Sequence, residues 1–164
     1  MGAPPGVMPA LHSRSGLDTS VRPRGASARP VLLATLEAPL TAEASAFAVD
    51  AAIESGQPLL VVNAVESSLA PCGLVLGYDT IVPPDVEESL RAPADLAHSL
   101  GVSVERLRLR SPRPLDALLE LVAERSPGLL VVGPDPTRIR ARRWRKAARR
   151  IRAEAGCLVW LPPA

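Results

Sequence analysis

The chain has 164 residues, 47% of them apolar but only 2% aromatic, with 19 Lys and Arg against 17 Asp and Glu for a formal net charge of +2. That length suits one domain with an appendage, and its core has to be built from Ala, Val, Leu and Ile. The cysteines, Cys72 and Cys157, are far apart and at no metal-ligand spacing, which argues against a disulfide framework or a zinc site and fits a reducing cytoplasm. No apolar run reaches the ~20 residues of a membrane span, and no basic start followed by an apolar core marks a signal peptide.

Residues 1–29 are rich in Pro, Gly, Ser and Arg and have neither helical nor strand periodicity, so they read as a disordered tail. Met8 would serve as a start as well as Met1, and His12 in this tail reads as solvated. From Pro30 onward, residues 30–164, the pattern is that of a folded domain. The strand candidates are VLLAT (31–35), PLLVVNAV (58–65), SVERLRL (103–109), GLLVVG (128–133) and GCLVWL (156–161). Continuous apolar runs suit central parallel strands covered on both faces, and the alternating SVERLRL suits an edge.

Helices are expected between them. Over 40–54, Ala44, Phe47, Ala48, Ala51 and Ala52 form one stripe and Gly56 ends it. A second helix covers 85–100, bent or split at Pro93. A third covers 114–125 with Leu115, Leu118, Leu119 and Val122 inward, closed by Pro127-Gly128. The fourth covers 138–155, with Trp144, Ala147, Ala148, Ile151 and Ala155 inward. Such alternation means right-handed βαβ units on a parallel sheet. The interval 66–84, with Gly73, Gly77, Pro83 and Pro84, is too long for a simple connection; it is expected to lie over the carboxyl ends of the strands, where Cys72, Tyr78 and Asp79 would border a pocket.

RPVLLAT, PLLVVNAVE, PLDALLELVAERSPGLLVVG and AEAGCLVWLPP, in this order over residues 30–162, resemble the universal stress protein domain. The resemblance implies a Rossmann-like α/β three-layer sandwich (adenine nucleotide alpha hydrolase-like) whose five-stranded parallel sheet has the order 3-2-1-4-5. It also implies a homodimer through the last strand, with Val159, Trp160 and Leu161 at the seam, or a heterodimer with another universal stress protein.

ATP-binding members of that family show an Asp after strand one and a Gly-x-x-Gly-x9-Gly-Ser/Thr motif after strand four. Leu36 stands at the Asp position and has no group for a ribose hydroxyl. Glu37 is one residue further on, which in an extended strand points it to the other face. Gly133 matches the first glycine of the motif and Pro136 stands at the second, while Lys146-Ala147, or Arg145-Lys146 in the neighbouring register, replace Gly-Ser. Pro134 and Pro136 remove two N–H donors from a nest that works through them. The expected remnant is a degenerate nucleotide pocket bordered by Thr35, Leu36, Glu37, Ala64, Gly133, Pro136, Arg145, Lys146 and Ala147, with no cofactor and ATP disfavoured.

Residues 138–164 carry nine basic and one acidic side chain, whereas residues 31–137 carry six basic and fifteen acidic. Arg138, Arg142, Arg145, Lys146 and Arg149 thus make a candidate anion-binding face, for nucleic acid, polyphosphate, an acidic protein or the acidic body of a second copy. The plainer reading is a solvated helix face, because no aromatic platform or recognition-helix signature accompanies it. A catalytic site is not legible: there is no Gly-x-Ser-x-Gly elbow, and His98 stands alone. A response-regulator receiver, which shares the sheet order, needs acidic residues where Leu36-Glu37 stand and an Asp where Arg110-Ser111 stand. The expectation is a non-catalytic, cytoplasmic binding or regulatory protein, with a stress protein that holds a nucleotide noncanonically, by Glu37 and the arginines, as the alternative.

Overall fold

The computed structural model describes residues 28–67 and 82–162. Five parallel strands alternate with four helices: β1 (Val31–Leu36), α1 (Ala42–Ser55), β2 (Leu59–Glu66), α2 (Pro84–Ser99), β3 (Val104–Ser111), α3 (Pro114–Arg125), β4 (Leu129–Val132), α4 (Ala141–Glu154) and β5 (Leu158–Trp160). The sheet order is β3-β2-β1-β4-β5, as the sequence pattern predicts. The register runs from Val31 opposite Leu59 and Leu129 to Leu36 opposite Ala64.

Period-two alternation divides the buried strand residues between two cores. Leu32, Ala34, Leu60, Val62, Leu130 and Val132 face α3 and α4, and Val31, Leu33, Leu59, Val61 and Val131 face α1 and α2. Every residue of β1 is buried, while β3 buries none of its side chains fully, as an edge strand permits. Each fully buried Leu or Val stabilises the fold by roughly 1.5–3 kcal/mol before entropy is counted.

The helix ends follow local chemistry. Thr41 caps α1, its Oγ1 accepting from the Ala44 N–H, so the helix begins at Ala42 and not at Leu40. Gly56, at φ 63°, closes α1 while the Gln57 N–H reaches back to the Ala52 carbonyl at 3.1 Å. Pro93 does not split the helix: α2 runs through it, and Pro93 is buried in the stripe Val86, Leu90, Ala94 and Ala97, so packing holds the helix together. In α1 Val49 takes the inward place expected of Phe47, and in α3 Leu121 takes that of Leu119. The inward stripe of α4 is as predicted, but the helix starts at Ala141 because residues 135–138 form a turn around Asp135. Of the tail, only residues 28–30 are described; the Arg29 N–H donates to Gln57 Oε1 at 3.0 Å. His12, Cys72, Gly73, Gly77, Tyr78 and Asp79 lie outside the described residues.

Candidate functional site

At the carboxyl ends of the strands, four of the nine predicted pocket residues, Leu36, Glu37, Lys146 and Ala147, line one cleft, whereas Arg145 lines a separate groove on α4. Leu36 is buried and lines a cleft of about 370 Å³ with Leu115, Ile139, Ala147 and Lys146. Thr35 is fully buried, and its hydroxyl donates to the Ala38 carbonyl at 2.6 Å, so it holds the turn after β1. The Ala64 carbonyl accepts from the Glu37 N–H at 3.2 Å.

Glu37 departs from the expectation that its side chain turns away. Parity holds only while the backbone is extended, and Glu37 leaves the strand in the left-handed region at φ 59°. Its carboxylate swings across the strand ends: Oε1 accepts from the Glu66 N–H at 2.9 Å, and Oε2 pairs with Arg143 Nη1 at 3.1 Å. Arg143 Nη2 reaches Glu66 Oε2 at 3.3 Å, so one guanidinium from α4 ties the ends of β1 and β2. These groups are part-exposed, and the ties fix geometry more than they add stability.

The segment after β4 is stitched to the turn after β1. The Gly133 N–H donates to the Ala34 carbonyl (3.1 Å), Asp135 N–H to Pro39 (2.8 Å), Thr137 N–H to Asp135 Oδ1 (2.9 Å) and Arg138 N–H to the Asp135 carbonyl (3.1 Å). Pro134 and Pro136 have no N–H. From 133 to 138, then, each backbone donor is spent within the chain or missing, and Asp135 adds a negative charge where an anion would lie. The Thr137 N–H and hydroxyl hold the Asp135 carboxyl below the usual carboxylate range. Gly133 has a packing reason to be glycine: a Cβ there would stand 2.1 Å from the Ala44 Cβ.

The basic residues of α4 divide in two. Arg143 is tied as above, Arg150 pairs with Asp116 and Glu154, and Arg138, before the helix, pairs with Asp85 at 2.9 Å. Arg142, Arg145, Lys146 and Arg149 have no ion-pair partner among the described residues and, with Arg150, line one shallow groove. His98 is exposed, and no cluster of metal-ligating residues occurs among the described residues. Burial pushes the half-buried Cys157 thiol up.

At the sheet edge, Trp160 stacks on Phe47 with ring centroids 5.4 Å apart, Phe47 is 39% exposed, and Leu158 is 74% exposed. Val159 and Leu161 pack against the α3–α4 core and Trp160 against the other.

Two residues escaped the sequence reading. Arg143 was indistinguishable from its eight basic neighbours, because which arginine meets Glu37 depends on the turn after β1. Asn63 carried a usable signal: it is the one amide in the apolar run LLVVNAV.

No family model matches the sequence, and no curated protein matches it. Solved structures match its fold. A universal stress protein in complex with cAMP has a TM-score of 0.58 at 23% identity, covering 84% of this chain and 99% of that one. A universal stress protein from Archaeoglobus fulgidus has 0.55 at 16%, covering 80% and 92%, and UspA from Lactobacillus plantarum has 0.58 at 13%, covering 85% and 100%. A universal stress protein from Archaeoglobus fulgidus in complex with dAMP has 0.53 at 17%, covering 81% and 96%. At these identities the likeness is one of fold: the chain has the fold of the universal stress proteins.

Proposed function

We propose that this chain is a universal-stress-type protein that acts by binding partners, without catalysis and without gripping ATP on a glycine loop. The observation that carries this reading is the fate of the donors from Gly133 to Arg138, all of them absent or engaged within the chain. A phosphate nest needs successive free N–H groups, and a triphosphate here would meet the Asp135 carboxylate instead. Leu36, buried where a ribose-binding acid would stand, removes the other anchor.

The partner surface in this reading is the β5 edge, where Leu158, Trp160 and Phe47 leave apolar area in water. A second copy of the chain, or another universal stress protein, would pair there, in the cytoplasm. The reading is tested by purifying the untagged protein at moderate salt, heat-denaturing it, and identifying released small molecules by chromatography with mass spectrometry. An empty supernatant supports it, and ATP at near-stoichiometric yield contradicts it.

A second reading, anion binding on α4, is favoured by the four cations Arg142, Arg145, Lys146 and Arg149, which have no ion-pair partner among the described residues and line one groove. Changing all four to Ser should abolish any salt-sensitive retention on heparin or single-stranded DNA. Its melting temperature should stay within about 2 °C of the parent's, since these side chains are exposed and unpaired. Parent protein that passes both matrices at low salt would remove this reading.

A further inference from the structure

On the sheet face opposite the Leu36 cleft, Asn63 raises a separate problem. Asn63 is 2% exposed, and its Oδ1 has no hydrogen-bond partner among the described residues. Its neighbour across the ladder on β1, Thr35, has already given its hydroxyl to Ala38. A buried amide oxygen without a donor is costly, and valine would have continued the apolar run at no such cost.

The amide lines a pocket of about 280 Å³ whose walls are Val65, Val82, Pro83 and Val86. Its polar rim comes from β3. Arg108 is directly opposite Asn63 in the ladder and Arg110 is opposite Val65, so both project on the same face as the amide, and both line the pocket. Arg110 has no ion-pair partner among the described residues. Glu37 and Glu66 also border it, but their carboxylates are engaged by Arg143. The pocket therefore has a floor that needs a donor, apolar walls and a cationic rim.

We propose that this pocket is a binding site for a small hydroxy acid. The ligand hydroxyl donates to Asn63 Oδ1, and its carboxylate lies against the guanidinium of Arg110, with Arg108 beside it. The site is independent of the Leu36 cleft and of the β5 edge, and it stands whether or not the chain binds a nucleotide. Water on the amide oxygen would leave the guanidinium of Arg110 without an anion among the described residues.

The test uses matched pairs that differ only in the hydroxyl: lactate against propionate, and malate against succinate. Each is titrated into the full chain while the Asn63 amide and Arg110 Nε–H resonances are followed by NMR. At least one hydroxy acid should bind saturably and about tenfold or more tighter than its deoxy partner. Asn63→Leu should erase that difference while residual carboxylate binding persists, and Arg110→Gln, at an exposed position that does not threaten folding, should weaken both members of the pair. Without ligand, Asn63→Leu should melt no lower than the parent, because it removes an unpaired buried acceptor. Absence of saturable binding by either hydroxy acid, equal binding within each pair, or a fall of several degrees in the melting temperature of unliganded Asn63→Leu would overturn the assignment.

Discussion

Gly133→Ala is the sharpest probe of how the chain after β4 is held. Gly133 does not lie in the left-handed region, so alanine meets no backbone penalty there, only a steric one. The new Cβ would be 2.1 Å from the Ala44 Cβ and 3.3 Å from Thr41 Oγ1. Carbon atoms in contact prefer about 3.5–4.0 Å, so α1 and the segment would have to separate by more than about 1 Å. The bonds Thr41 N–H to Gly133 O (2.9 Å) and Asp135 N–H to Pro39 O (2.8 Å) resist that movement. Overpacking costs about 1–3 kcal/mol and one weakened buried bond about 1 kcal/mol more, which sets the expected loss near 3 kcal/mol. For a domain of this size that lowers the melting temperature by roughly 10 °C. Ala44→Gly alone should cost about 2 kcal/mol, from helix propensity and one lost buried methyl. The double variant should also lose only about 2 kcal/mol, since the clash is gone, whereas independent sites would give about 5. Urea denaturation of all four proteins measures the cycle. A Gly133→Ala variant within about 0.5 kcal/mol of the parent, or a fully additive double variant, would refute the steric explanation.

Trp160→Asp places a charge on the β5 edge and should turn a dimer into a monomer; light scattering at unchanged mass would contradict the proposed seam. Asp135 has a depressed folded-state pKa, so its contribution to stability is full above the unfolded carboxylate value of about 3.9 and is lost as pH falls through the folded one. Asp135→Asn should therefore lower the melting temperature at pH 6, by a difference that shrinks as pH falls below about 3.9, and a difference that does not shrink with acid would contradict this origin. In a Cys72→Ser background, Cys157 should react with iodoacetamide at pH 7.5 more slowly than free cysteine, because burial disfavours its thiolate; an equal or faster rate would contradict that.

The order of elements and the sheet topology were legible because apolar runs four to eight residues long alternate with helical stripes, a pattern few folds satisfy. The α4 stripe of Trp144, Ala147, Ala148 and Ile151 was read correctly, as spacing alone fixes it. Phe47 was misplaced because its ring finds Trp160 beyond the edge of the core, a contact set by the position of β5 and invisible to helical period. Glu37 was misjudged for a similar reason: the parity rule was sound for a strand, and Glu37 lies just past the end of β1 at positive φ, where parity no longer holds. The loss of the glycine motif was plain at Pro134 and Pro136. That the N–H groups of Gly133 and Asp135 are spent on Ala34 and Pro39 depended on the approach of β1 and its turn, which no local pattern reports, whereas Thr137 and Arg138 bond back to Asp135 within one turn.

The central claim is that the segment from Gly133 to Arg138 cannot grip a triphosphate. Isothermal titration of the untagged, nucleotide-free protein with Mg-ATP tests it directly. No saturable heat up to millimolar ATP is predicted, and one-to-one binding at micromolar concentration would contradict the account.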